Sequence, residues 1–137
     1  MTYLVDANVL SEATKPRPMA RVVEWLRNNE REIVVDPIIL GEIRYGIHLM
    51  APGARRRQLE RWFARGVENI HCLPWQASTG LRWAKLLADL RAAGHSMPIK
   101  DSLIAATALS YGLTLVTRNN HDFMRAGVKM INPFVEA

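Results

Sequence analysis

Cysteine is almost absent from this chain. A single residue in 137, Cys72, excludes an internal disulfide and any zinc site built from several thiolates, and its apolar neighbour Leu73 marks it as a small interior hydrophobe. Long apolar runs are missing as well. No stretch approaches the ~18 residues that span a bilayer, and the opening Met1-Thr2-Tyr3-Leu4-Val5-Asp6 has neither the basic start nor the apolar stretch of a secretory signal. A cytoplasmic location without a membrane partner is therefore expected. His48, His71, His95 and His121 show no metal-ligand spacing, and only His121 stands near the candidate site described below. There is no repeat, no low-complexity segment and no linker, so residues 1–137 are expected to form one domain. Apolar residues make up 49% and charged residues 23%, the balance of a folded domain rather than a disordered chain. Eighteen basic residues against thirteen acidic ones leave +5, a charge that points toward a polyanionic partner.

Short runs of branched residues alternate with longer segments of helical period, the pattern of a layered α/β domain with a mainly parallel sheet. The strand candidates are Tyr3 to Val5, Ile33 to Val35, Ile70 to Leu73, Thr114 to Thr117 and Lys129 to Ile131. Between the first two, Pro18 is placed in the first turn of a helix carrying Val22, Val23, Trp25 and Leu26 as far as Asn28-Asn29. Asp36-Pro37 reads as the cap and first residue of a helix to about Met50. Pro52-Gly53 breaks the chain, and Ala54 to Arg65 form a basic helix. Gln76 to Ala93 and Asp101 to Tyr111 are further helices, stopped by Gly94 and Gly112. On the basic helix, Arg57, Arg61 and Arg65 recur every four residues, either as a solvated face or as a contact to an RNA backbone. Trp25, Trp62, Trp75 and Trp83 fit a core or a dimer interface better than base-stacking platforms.

Four of the thirteen acids stand in unusual surroundings. Asp6 directly follows Tyr3-Leu4-Val5, at the carboxyl end of the first strand, the edge at which open α/β sheets bind ligands; capping of the next helix is the alternative. Glu42 can be placed by arithmetic at about 100° per residue. With Ile38 at zero, Ile39, Ile43, Gly46, Ile47, Leu49 and Met50 share an arc, Gly41, Arg44 and His48 fall opposite, and Glu42 lies near 40°, inside the apolar arc. A carboxylate there needs a partner from another element, either a metal ion or an arginine. Asp101 opens the apolar helix Leu103-Ile104-Ala105-Ala106-Thr107-Ala108-Leu109, where capping is again the alternative. Asp122 stands in the polar loop Thr117-Arg118-Asn119-Asn120-His121-Asp122-Phe123 after the fourth strand, ahead of a short helix containing Phe123 and Met124.

A parallel sheet can bring all four to one edge. Converging carboxylates raise one another's pKa unless a cation neutralises them. Oxygen donors without Cys or His favour Mg²⁺ or Mn²⁺ over zinc, and such an ion serves in-line attack on a phosphodiester. Lys100 and Arg118, beside these acids in sequence, are candidates to hold a substrate phosphate.

The motifs Leu4-Val5-Asp6-Ala7-Asn8-Val9-Leu10-Ser11-Glu12, Gly41-Glu42-Ile43-Arg44-Tyr45-Gly46, Asp101-Ser102-Leu103-Ile104-Ala105-Ala106-Thr107-Ala108 and Thr117 to Phe123, followed by Ile131-Asn132-Pro133-Phe134, resemble in order and spacing those of PIN-domain ribonucleases. They are most similar to the VapC-type toxins of bacterial toxin–antitoxin pairs, including the FitB-like branch. The resemblance covers nearly the whole chain. It implies a three-layer α/β/α fold around a parallel sheet of about five strands, and Mg²⁺- or Mn²⁺-dependent endoribonuclease activity. It carries the catalytic, metal-binding quartet onto Asp6, Glu42, Asp101 and Asp122, with Asn8, Asn119 and Thr117 as polar supports. A homodimer and a small antitoxin laid along the groove are also implied. Two positions depart from the common pattern: Ala7 stands where a hydroxyl is frequent, and Gln76 where an acid is often seen.

Two other readings of the residues remain. A different phosphohydrolase with an Asp after its first strand usually carries a second Asp two residues on, where this chain has Asn8. A nucleic-acid-binding module without catalysis would be expected to have lost part of the quartet. With four acids in one site, nine are left against eighteen bases, so the net +5 divides into −4 at the site and +9 elsewhere.

Overall fold

In a computed structural model of the chain, described over residues 1–135, the strands β1 (Tyr3–Val5), β2 (Ile33–Val35), β3 (His71–Cys72), β4 (Thr114–Val116) and β5 (Met130–Ile131) form one sheet. The last two residues of the expected domain lie outside the described residues. Strand order is β3-β2-β1-β4-β5 and every pairing is parallel. Leu4 pairs with Val34 on one side and Leu115 on the other, which places β1 at the centre.

Successive strand residues point to opposite faces of a sheet. Leu4 and Val5, Val34 and Val35, and Leu115 and Val116 are nevertheless all buried, so both faces are covered. That burial makes the sheet the middle of three layers, as parallel sheets require. Among the described residues seven helices flank it: α1 (Ala7–Leu10), α2 (Ala20–Asn28), α3 (Pro37–His48), α4 (Ala54–Arg65), α5 (Ala77–Ala92), α6 (Ile99–Tyr111) and α7 (Asn120–Phe123). No helix among the described residues is long and apolar enough to cross a membrane.

The chain's path explains where a site can form. From β1 it runs outward through β2 to β3, then returns to the other side of β1 for β4 and β5. Strand order therefore reverses between β1 and β4, and a crevice opens outside their carboxyl ends. Asp6 follows β1 and Thr117 follows β4, so both stand at that crevice.

Several boundaries differ from those expected. The third and fifth strands keep only His71–Cys72 and Met130–Ile131, and the fourth stops at Val116, which leaves Thr117 free to turn toward Asp6. Pro18 lies outside α2, which starts at Ala20 with Met19 as its cap. A four-residue helix, α1, and a 3-10 turn over Ser11–Thr14 fill a segment to which the sequence assigns no element. Four residues carry too little helical period to be read from sequence.

Asp36 caps α3 as expected, its carboxylate accepting from the Ile39 amide at 2.8 Å. It is also fully buried, and the sequence reading passed over that. Thr107 donates to it at 2.6 Å, and Thr107 in turn accepts from the Trp75 indole at 3.0 Å. This relay ties β2 to α6 and to the start of α5, and it satisfies each buried polar group. Burial pushes the Asp36 carboxyl up from its ordinary range, against the pull of the Thr107 hydrogen bond. Cys72 is half-buried, and burial likewise raises its thiol. The other tryptophans have packing roles: Trp83 donates to Ser102 at 2.9 Å, and Trp25 meets Tyr3 edge-on with ring centroids 5.1 Å apart.

Along α3, Ile39, Ile43 and Ile47 are buried as the arc predicts. Gly46 and Leu49 face solvent, because the covering elements shield a narrower stripe than the half-circle allowed. On α4, Glu60 pairs with Arg44 and Arg56, while Arg57, Arg61 and Arg65 stay exposed.

A candidate acidic metal centre at the switch point

Asp6 is the buried centre of the crevice, 2% exposed. Its carboxylate accepts from the Ala7 backbone amide at 2.8 Å, from the Thr117 hydroxyl at 2.8 Å and from the Asn8 side-chain Nδ2 at 3.5 Å. The Asp6 amide donates to the Val116 carbonyl at 2.9 Å, so the residue is fixed by both central strands. Capping of α1 and placement at the sheet edge, set against each other in the sequence reading, are thus both true of it.

The neighbours form a small support network. Thr117 Oγ1 accepts from the Asn119 amide at 3.0 Å, and Asn8 Oδ1 accepts from the Arg118 amide at 3.2 Å. The Arg118 guanidinium lies over the Phe134 ring, 4.5 Å from its centroid. Thr117 and Asn8 thus act on Asp6 directly, whereas Asn119 acts through Thr117 and Arg118 is spent partly on an aromatic face.

Asp101 is buried in the first turn of α6, two residues inside the helix rather than at its cap, a position taken by Pro98. A carboxylate there faces the positive end of the helix dipole. Glu42, on α3, is half-buried, and its partner from another element is Lys100 of α6, which donates to its carboxylate. The partner within the chain is therefore a lysine from another element, not the arginine expected as the alternative to a metal ion. Asp122 stands exposed on α7.

The electrostatics show that the four acids share one field. Burial pushes the Asp6 carboxyl up to about 6; the Thr117 hydrogen bond opposes this, and the charges of Glu42 and Asp101 add to it. Burial also raises Asp101, with Lys100 opposing and Asp122 and Glu42 adding. The hydrogen bond to Glu42 raises the Lys100 ammonium, with the charges of Asp101 and Asp6 adding to it. The loop after β1, α3 and α6 thus bring Asp6, Glu42 and Asp101 into one field, which Asp122 joins from α7 through Asp101.

As the side chains stand, no three His, Cys, Asp or Glu among the described residues are gathered tightly enough to ligate one ion. The donor chemistry nevertheless fits a divalent cation. All four donors are hard oxygens, two of them are buried acids whose charge is disfavoured without a counter-ion, and Lys100 already supplies one positive charge. Two further buried acids are committed elsewhere, Asp36 to Thr107 and Glu12 to Lys15 at 2.9 Å and to the Met19 amide. The hydrogen bond from Lys15 holds the Glu12 carboxyl below its ordinary range.

Fold and site together define a class: three-layer α/β proteins with a carboxylate cluster at the switch point of a parallel sheet. The PIN domain family model matches residues 3–129, and the chain belongs to this family. It is 37% identical to the plasmid stability protein StbB of Pseudomonas syringae pv. tomato, covering 96% of this chain and 97% of that one. It is 30% identical to the VapC ribonuclease Y4jK of Sinorhizobium fredii over 98% of this chain and 99% of that one. The crystal structure of FitAcB from Neisseria gonorrhoeae matches it with a TM-score of 0.90 at 28% identity, covering 97% of this chain and 99% of that one.

Proposed function

We propose that this protein is the endoribonuclease toxin of a toxin–antitoxin pair, a single PIN domain over residues 1–137 that hydrolyses RNA phosphodiester bonds with divalent-metal help. The observation that carries this reading is the convergence of Asp6, Glu42, Asp101 and Asp122 on one crevice, and membership of a ribonuclease-bearing family supports it. The quartet would hold Mg²⁺ or Mn²⁺, which hard oxygen donors favour. Such an ion supplies charge neutralisation at the phosphate and a more acidic attacking water. Asp6 is aimed by Thr117 and the Ala7 amide, Asn8 and Asn119 brace that arrangement, and Lys100 and Arg118 supply positive charge toward a substrate phosphate. The partners are RNA, a cognate antitoxin and a second copy of the chain, for which exposed Tyr45, Leu49, Leu81 and Ile99 offer apolar surface. The reading places the protein in the cytoplasm, with its RNA.

Cleavage of bulk RNA by the purified chain tests this. Mg²⁺ or Mn²⁺ should support cleavage, EDTA should stop it, and Asp101→Asn should be inactive at a melting temperature no lower than that of the wild type. Undiminished cleavage in EDTA would refute the metal-dependent mechanism.

Lys100 competes with the ion for Glu42. Lys100→Met should bind Mn²⁺ more tightly in a calorimetric titration, by about five-fold at most, since an exposed pair is worth no more than ~1 kcal/mol. Weaker binding would show that Lys100 assists the ion instead.

A further inference from the structure

A second cavity adjoins the acid cluster. It has a volume of about 360 Å³ and lies between the α5–α6 connection, around His95 and Met97, and the α7 side, where His121, Asp122 and Arg125 form its wall. Asp122 belongs to both sites, and Pro98, three residues before Asp101, lines the cavity while capping α6. A strand of RNA with its scissile phosphate over the acids would therefore have this cavity beside it at Asp122.

We propose that this pocket receives the nucleotide flanking the scissile phosphodiester, with Arg125 against that nucleotide's phosphate. The inference rests on the ribonuclease reading and deepens it by assigning a substrate subsite.

Three features argue for that occupant. The first is charge. The Arg125 guanidinium hydrogen-bonds the His95 imidazole and, among the described residues, forms an ion pair with no carboxylate. A guanidinium has five donors in a planar fork that matches phosphate, and an imidazole cannot use them all. The second is the mixed lining. Leu90 and Met97 present apolar surface, while His95 and His121 present flat rings of the kind on which unpaired bases stack. The third is access. Gly94 lines the pocket at φ +77°, with nothing within 4 Å of where a Cβ would sit, so the backbone leaves room beside the ring of His95. The volume falls within the ~300–1,000 Å³ of ordinary small-ligand sites.

Arg125→Gln in the full chain tests the proposal. The side chain is exposed, so the variant should fold, and its melting temperature serves as the check. Steady-state cleavage of a short fluorescein-labelled single-stranded RNA should show KM raised on the order of ten-fold with kcat nearly unchanged, as loss of a charged hydrogen bond implies. Anisotropy titrations of the same RNA in the Asp6→Asn background should show the slope of log affinity against log salt shallower by about 0.7, one phosphate contact on a single strand. Arg125→Lys should recover part of both. Unchanged KM and slope would overturn the proposal. So would a variant that binds and cleaves RNA normally but loses affinity for the antitoxin, because the pocket would then hold an acidic peptide. If Asp6→Asn itself cleaves like the wild type, the ribonuclease reading fails instead; if Asp6→Asn is dead while Arg125→Gln is normal, only the pocket assignment fails.

Discussion

Asp6→Asn should lower RNA cleavage by ~100-fold or more, the scale on which even indirect supports of a metal site matter, and should make the metal-free protein more stable at neutral pH. The two effects share one cause. Asp6 is buried at the meeting of β1 and β4, and its carboxyl is pushed up to about 6 chiefly by that burial. A carboxyl whose folded pKa exceeds its unfolded value binds protons more tightly when folded, so stability falls as pH rises from about 4 to about 6 and stays low above that. A displacement of about two pH units is worth roughly 3 kcal/mol. Asn is neutral throughout, and its amide oxygen can still accept from the Ala7 amide or the Thr117 hydroxyl. Thermal denaturation in EDTA across this range should give a wild-type curve that declines toward neutrality and a clearly shallower one for the variant. Asp36 and Asp101, also raised by burial, keep the variant's curve from being flat. A variant no more stable than the wild type at neutral pH would mean that the strain at Asp6 is relieved within the chain.

Phe123→Ala should cost about 3–5 kcal/mol in urea denaturation, as removal of a large buried ring does, which is a large share of the ~5–15 kcal/mol that holds a domain together. Phe123 is fully buried and ends α7, a helix too short to persist without that anchor. Asp122 immediately precedes it, so cleavage should fall even at temperatures where the variant remains folded. Asp122→Asn separates the two effects, because it should lose cleavage with little change in stability. A loss below ~1 kcal/mol for Phe123→Ala would mean that α7 is held by its loop and not by the ring.

The alternation of short branched runs with helical segments identified all five strands to within a few residues, and the cap at Asp36 marked the start of α3. Asp6 and Asp101 stood out because their sequence neighbours are apolar, and both are buried. Where an acid's isolation depended on a distant element, local reading fell short. Asp36 passed as a cap because Thr107 and Trp75, its relay partners, come from α6 and the start of α5. The pairing of Lys100 with Glu42 was not legible either, because nothing in the segment of Lys100 indicates a residue 58 positions away.

By itself the sequence determined which segments are strands and helices and which acids sit in apolar surroundings, because strand and helix periods and caps are set within a few residues. Only the tertiary structure decided that β1 and β4 lie side by side, that Thr117 holds Asp6, that Lys100 neutralises Glu42 and that Arg125 faces a pocket walled by Asp122. Those placements depend on the path of the chain in space, which joins Thr117 to Asp6 across 111 positions and Lys100 to Glu42 across 58 and leaves no periodic trace along the sequence.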